Sequence, residues 1–231
     1  MAIELFDLAG ADDRIRFSPY CWRARMALAH KGLEPDTIPV RFGEKSKIEF
    51  SGQKLVPVLR DGKTVIADSW NIAVYLDSAY PDRPPLMDGP HAMALSRFIH
   101  FWVQVRIGPP ILRAVLMDIH DICAEGDKAY FRSSREARFS CRLEDFVLPE
   151  SEARALLKSE LAPVREMLVA QPFLCGDSPA YADYILFGGF MWARSVSAKR
   201  LLEEDDAVHS WRERMLDSYE GLARKAPGAG A

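Results

Sequence analysis

Ile3–Asp7 alternates apolar and acidic side chains at a period of two, the pattern of a half-buried strand. Ser18-Pro19 then marks a helix start, serine suiting the cap and proline the first turn, and Gly32 marks its end. Trp22, Met26, Leu28 and Ala29 supply the apolar stripe between them. Thr37–Phe42 is expected to be a second strand. Residues 43–54 carry many charges and few large apolar groups, and are expected to be irregular and exposed. Leu55–Arg60 and Thr64–Ala67 are two short β-rich runs joined at Asp61-Gly62, a hairpin signal. Asp68-Ser69 caps a helix whose stripe is Ile72, Ala73, Tyr75, Leu76 and Tyr80, and which stops at Pro81.

Beyond a segment punctuated by Pro81, Pro84, Pro85, Gly89 and Pro90 the period is helical throughout. Helices are expected over His91–Cys123, with a break at Gly108-Pro109-Pro110, and over Asp127–Phe146. Others are expected over Glu152–Ala170, with Pro163 inside, Tyr181–Val196, and Asp205–Leu222. Residues 181–196 are apolar nearly all round, which places that helix at the centre of a bundle. The Gly- and Ala-rich end, 225–231, is expected to fray. The pattern is therefore α+β: a four-stranded mixed sheet with helices over 1–83, a linker over 84–90, and an all-helical unit over 91–231.

Composition narrows the partners. The 231 residues hold 30 basic and 33 acidic side chains, a net charge of −3, so nothing favours nucleic acid or an anionic membrane surface. The longest apolar run, Tyr184–Ala193, falls short of the roughly 18 residues a spanning helix needs. Met1–Asp7 lacks the basic and apolar regions of a secretory signal, and a cytoplasmic protein with reduced thiols is expected. The four cysteines, Cys21, Cys123, Cys141 and Cys175, are too sparse for a disulfide scaffold and lack a zinc spacing. The five histidines show no ligand spacing either, so no metal is expected.

Three short stretches carry candidate chemistry, and each also has a plain structural reading. Ser18-Pro-Tyr-Cys-Trp-Arg23 is a helix start, and a polar group there can stabilise an anion with the unpaired N–H groups and the dipole. In Leu55-Val-Pro-Val-Leu59, Pro57 costs a ladder bond, and a cis bond before it would present the Val56 backbone. Asp68-Ser69 is a second helix cap and also a pair suited to an amino-acid head group, with Asp68 for an ammonium and Ser69 and the helix start for a carboxylate.

In this order and spacing the three resemble a cytosolic glutathione transferase over essentially the whole chain. That resemblance implies a thioredoxin-like N-terminal domain followed by an all-α C-terminal domain. Ser18-Pro-Tyr-Cys-Trp-Arg23, Asp68-Ser-Trp-Asn-Ile-Ala-Val-Tyr-Leu-Asp77 and Tyr80-Pro-Asp-Arg-Pro84 are most similar to bacterial glutathione-dependent β-etherases and related fungal transferases. The resemblance implies that Ser18 donates to the glutathione sulfur. It also implies that Val56, before a cis Pro57, pairs with the cysteinyl backbone, and that Asp68 and Ser69 hold the γ-glutamyl end. For the glycyl carboxylate Arg41, Lys45, Gln53 and Lys54 are open candidates. A small hydrophobic electrophile is implied above the sulfur, with Phe17, Tyr20, Phe101, Trp102 and Ile107 as candidate contacts, although an aromatic stripe is as readily bundle core. A homodimer is implied as well.

Other activities remain open at this stage: a non-catalytic glutathione-dependent ligand binder, or a glutathione-dependent isomerase or thiol oxidoreductase. The last is disfavoured because Ser18 stands where a redox relative has its first cysteine, and Cys21 falls one turn inside the helix. Arg132, Arg135, Arg138 and Arg142 are expected to form a solvated or ion-paired face. Ala180, three before Asp183, lacks the side-chain cap usual there, although Asp183 can still reach the Ala180 N–H.

Overall fold

The computed structural model describes residues 3–230, so Met1, Ala2 and Ala231 fall outside it. The first part runs β1 Ile3–Leu8, α1 Pro19–His30, β2 Asp36–Val40, a 3₁₀ helix Lys45–Ser51, β3 Val58–Asp61, β4 Thr64–Ala67 and α2 Ser69–Ala79. The strands form one mixed sheet in the order β2-β1-β3-β4, with β1 parallel to β2 and antiparallel to β3, and β3 antiparallel to β4. The β3–β4 turn pairs Asp61 with Thr64 around Gly62. This is the mixed sheet expected from the sequence.

Register assigns the two faces of this sheet. The Leu5–Leu59 pair faces the main core with Trp22 and Ile72, and the neighbouring Phe6–Val58 pair faces a smaller cluster with Val40 and Ile48. Ile48 corrects the sequence reading of 43–54. It is buried, and that burial, worth about 1.5–3 kcal/mol, anchors the charged segment, which takes a short helical form.

The second part is helical: α3 Gly89–Trp102, a π-helical turn Val103–Ile107, α4 Gly108–Ile122, α5 Glu125–Phe139, α6 Leu143–Phe146, α7 Glu150–Glu160, α8 Ala162–Ala170, α9 Tyr181–Val196 and α10 Ala207–Gly221. The expected break at Gly108-Pro109-Pro110 takes the form of the π turn just before it. Pro109 and Pro110 have no N–H for the carbonyls one turn back, and the helix widens there. Two expected helices are each divided. Ser140, at φ +57°, separates α5 from α6, and Leu161 ends α7 so that Pro163 opens α8 instead of lying inside a helix.

Helix α9 is the centre of the bundle, with only Trp192 and Arg194 less than buried. It touches α1, α3, α4 and α10, and the main core is continuous across both parts of the chain. A Cβ on Gly188 would lie 2.4 Å from the Pro19 carbonyl oxygen, so glycine there lets the start of α1 approach the α9 backbone. Residues 225–230 do not fray, and Ala231 lies outside the described residues. Ala229 and Gly230 N–H donate to Ser195 and Arg194 carbonyls, and the Arg194 side chain donates to Ala226 and Arg224 carbonyls. The connection from α2 to α3 is likewise pinned, since Asp77 accepts the Leu86 and Met87 N–H groups and meets buried Lys31 at 2.7 Å.

Candidate functional site

The loop before α1 is fixed from several sides. Phe17 N–H donates to the Leu8 carbonyl, and the Arg16 carbonyl accepts from Trp22 Nε1 and from Ser195 Oγ on α9. Ser18 follows as the N-cap of α1, 4% exposed, its Oγ accepting the Cys21 N–H at 3.3 Å. The same hydroxyl also faces the buried Cys21 thiol within that turn. The first turn of α1 holds no acidic side chain of its own, and the acidic group beside it is buried Asp7 on β1, next to Cys21.

The Val56–Pro57 peptide is cis, and the Pro57 carbonyl accepts the Asp68 N–H at 3.2 Å, joining that loop to the start of α2. Asp68 caps α2 with φ +76°, a conformation costly for a residue with a Cβ and therefore a mark of a constrained site. Its Oδ1 accepts from both Trp70 and Asn71 N–H. Ser69 is fully buried; Tyr181 donates to its carbonyl at 2.6 Å, while its Oγ has no partner.

Arg23, His100 and Arg97 surround this second cap, none of them singled out as site residues by sequence. Arg23 is 3% exposed, leaves Nε without a partner, and meets His100 Nδ1 at 3.3 Å. Burial, then the neighbouring Arg23, push His100 below its ordinary pKa. His100 and Tyr181 both lie edge-on to Trp70, and Arg97 Cζ lies 3.9 Å from the Trp70 ring centre. Spacing from Ser18 could have flagged Arg23, one turn further along α1. Arg97 meets Trp70 only through the packing of α3, which leaves no signal in sequence.

The glycyl-end candidates separate. Arg41 is tied to the Gly10 and Ala11 carbonyls, Asp13 and Glu44, which is a structural role. Lys45 is exposed and donates to Tyr130 on α5 at 2.9 Å, with its Nζ also over that ring. Gln53 and Lys54 are exposed, with no side-chain partner among the described residues.

The candidate contacts for an electrophile are divided between core and surface. Phe17 and Ile107 are buried; Phe17 packs toward Phe42, which in turn meets Phe131 and the Arg135 guanidinium on α5. These two are core residues. Tyr20 and Phe101 are exposed and reach one seam, Tyr20 under Arg23 and Phe101 edge-on to His100, while Trp102 is half-buried. On α5, Arg132 is ion-paired as expected with Glu136 and Glu144, whereas Arg135 is not on a solvated face but stacks on Phe42 and Phe131.

Cys21 is fully buried and its thiol is raised well above its ordinary pKa, first by burial and then by Asp7. It offers no exposed thiolate. Asp7 itself is buried with both oxygens unpartnered by hydrogen bonds, and burial raises its pKa against the pull of Arg25 at 3.6 Å. Among the described residues no three His, Cys, Asp or Glu side chains gather as metal ligands, and no helix is long and apolar enough to cross a membrane.

A thioredoxin-like sheet with a polar cap at α1 and a cis proline facing a second cap, joined to a helical bundle, defines a glutathione-binding fold. Residues 17–79 match the family profile described as "Glutathione S-transferase, N-terminal domain", and 94–219 match "Glutathione S-transferase, C-terminal domain". The chain belongs to the glutathione S-transferase family. Mouse glutathione S-transferase omega-1 is 26% identical over 208 residues, 87% of this chain and 74% of that protein. Among solved structures, a glutathione transferase of Phanerochaete chrysosporium superposes with a TM-score of 0.78 at 26% identity, over 96% of this chain and 92% of that one. A glutathione S-transferase of Ceriporiopsis subvermispora, solved in complex with glutathione, superposes with a TM-score of 0.79 at 25% identity, over 95% and 97%.

Proposed function

We propose that this protein is a serine-type glutathione transferase that holds the glutathione thiol as thiolate against an apolar or aromatic electrophile. The observation that carries this reading is Ser18: its Oγ caps α1 by accepting the Cys21 N–H, and its hydrogen can turn from the buried Cys21 sulfur to a bound thiolate. A charge-assisted bond contributes about 1.5–3 kcal/mol and a helix start about 0.3–1. A unit of pKa is about 1.4 kcal/mol, so the two together lower a thiol from about 8.5 by about one to three units. The serine hydroxyl is far too weak an acid to serve as base. Its part is to stabilise the sulfur anion as the thiol proton leaves.

On this reading the Val56 backbone pairs with the cysteinyl residue, Asp68 takes the γ-glutamyl ammonium, and Lys45, Gln53 or Lys54 takes the glycyl carboxylate. Tyr20 and Phe101 border the electrophile. The exposed aromatic seam beside Ser18 suits an aryl substrate. Thiolate attack at the carbon bearing an aryloxy group next to a ketone, with phenolate leaving, is the named candidate reaction. The buried Cys21 opposes a dithiol redox role. Steady-state conjugation of a chloronitroaromatic and thiolysis of a β-aryl ether ketone test the reading. Turnover of either by wild type, lost in Ser18→Ala, is the expected result. A rate unchanged by that substitution removes Ser18 from the mechanism.

A further inference from the structure

Asp7 on β1 is fully buried beside the start of α1, yet neither of its carboxylate oxygens has a hydrogen bond among the described residues. Asp183, buried to the same degree, accepts four donors. A carboxylate kept only for the fold is matched in that way, because an unmatched one costs stability. The charged and titratable groups that face Asp7 are Arg25 and Cys21 from α1 and Arg16 from the loop before it. Arg25 stays 3.6 Å away, held over the Trp22 ring. Arg16 gives its Nε to the Asp13 carbonyl and leaves Nη1 without a partner. Both cations hold charge near Asp7 without closing off its oxygens.

Cys21 spans the gap from Asp7 to Ser18. Its enclosed thiol faces both the Asp7 carboxylate and the Ser18 hydroxyl, beside the Leu8 backbone. Asp7 and Cys21 are fully buried, and Ser18, 4% exposed, is the outermost of the set. A thiol and a hydroxyl each donate a hydrogen and accept one, so a proton entering at Ser18 can be matched by one leaving toward Asp7. We infer that Asp7 takes up the thiol proton of bound glutathione, passed to it through Ser18 and Cys21. The glutathione S–H bond breaks as a new O–H bond forms at Ser18 Oγ. The former Ser18 hydrogen moves to Cys21 Sγ, and the former Cys21 hydrogen moves to an Asp7 oxygen. Every bond to hydrogen that breaks is replaced by one that forms, and no oxidation state changes. The negative charge passes from Asp7 to the glutathione sulfur, and each donor in the line then points outward toward it. Ser18 is never a base in its own right, since it gives up one hydrogen as it gains another. Burial raises the Asp7 pKa against the pull of Arg25 and Arg16, which suits the carboxylate to receive a proton. The inference rests on the reading of Ser18 as donor to a glutathione thiolate.

The test counts protons. Glutathione is added to the full chain in weak buffer near about pH 7.5, where the free thiol is mostly protonated. Ultraviolet absorbance reads the thiolate formed, and a pH indicator reads the protons released. Wild type should form thiolate with little proton release, because Asp7 keeps the proton. Asp7→Asn removes the acceptor and Cys21→Ala removes the bridge, so each should release about one proton per thiolate. Cys21→Ser restores a bridging hydroxyl and should return to the wild-type count. A purely structural role for Asp7 would alter how much thiolate forms but not the ratio of protons to thiolate. Release of about one proton per thiolate by wild type overturns the inference, as does a wild-type count in Asp7→Asn or in Cys21→Ala. If Asp7→Asn does not fold, the counts for Cys21→Ala and Cys21→Ser decide between the two outcomes. A wild-type chain that forms no thiolate overturns the glutathione thiolate reading, and this inference with it.

Discussion

At the start of α9 the polar groups are matched within the chain; at the start of α1 they are not. Asp183 is buried and accepts four donors, the N–H groups of Leu174, Cys175 and Ala180 and the Trp211 indole. Ala180 has no side-chain oxygen to cap the helix, and Asp183 answers by reaching back to its backbone, which keeps half of a capping box. Ser18 is almost as buried, yet its hydroxyl meets only the Cys21 N–H and thiol of its own first turn, which holds no acidic side chain. The start of α2 is intermediate, with Asp68 satisfying the helix while its neighbour Ser69 keeps a hydroxyl without a partner. Matched polar groups stabilise the fold. Unmatched ones reserve bonding capacity for a ligand, at a cost of about 1–3 kcal/mol each in the empty state.

That contrast implies a graded set of outcomes. Asp183→Ala strands four donors and should destabilise by about 3–5 kcal/mol in chemical denaturation, among the largest effects of any single change. A loss under about 1 kcal/mol would mean that α9 does not depend on this cluster. Ser18→Gly should do the reverse: it costs only a few tenths of a kcal/mol at an N-cap but lowers turnover about 10- to 1000-fold. Equal damage to stability and turnover would erase the distinction between the two helix starts. Asp68→Asn keeps an oxygen for the Trp70 and Asn71 N–H groups and removes only the charge. Glutathione binding should weaken about 10-fold while thermal stability stays near wild type, and a large fall in melting temperature would make Asp68 a structural cap alone.

The smallest effect concerns pH. His30 is part-buried, its Nδ1 2.7 Å from the Tyr184 hydroxyl, and burial first, then Lys31, hold it below its ordinary pKa. The unfolded chain therefore takes up a proton there before the folded chain does. Stability from this group is present above about pH 6.5 and declines as pH falls through that value. His30→Gln should flatten this part of the stability-against-pH curve, and an unaltered slope would place the titrating group elsewhere.

Much of this was legible in the chain because it is local. The Ser18-Pro19 cap, the Asp61-Gly62 turn and the apolar circumference of 181–196 each express a short-range preference, and each falls where expected. The departures come from contacts that a linear reading does not contain. Ile48 anchors a charged segment by burial against the sheet, Ser140 breaks a helix by taking a left-handed conformation, and the tail is held by carbonyls at the end of α9. The site divides in the same way. Ser18, Pro57 and Asp68 sit in short motifs, whereas core packing withdrew Phe17 and Ile107, and Arg97 joins Trp70 only in three dimensions.

The central claim, that Ser18 is a poised donor to a sulfur anion, is tested most directly by titrating the bound glutathione thiol. Its thiolate absorbance in the ultraviolet can be followed against pH in the wild-type and Ser18→Gly proteins. The account predicts an apparent pKa about one to three units below the free value of about 8.5 in wild type, and a rise of at least about one unit when the hydroxyl is removed. The same pKa in both proteins would contradict it.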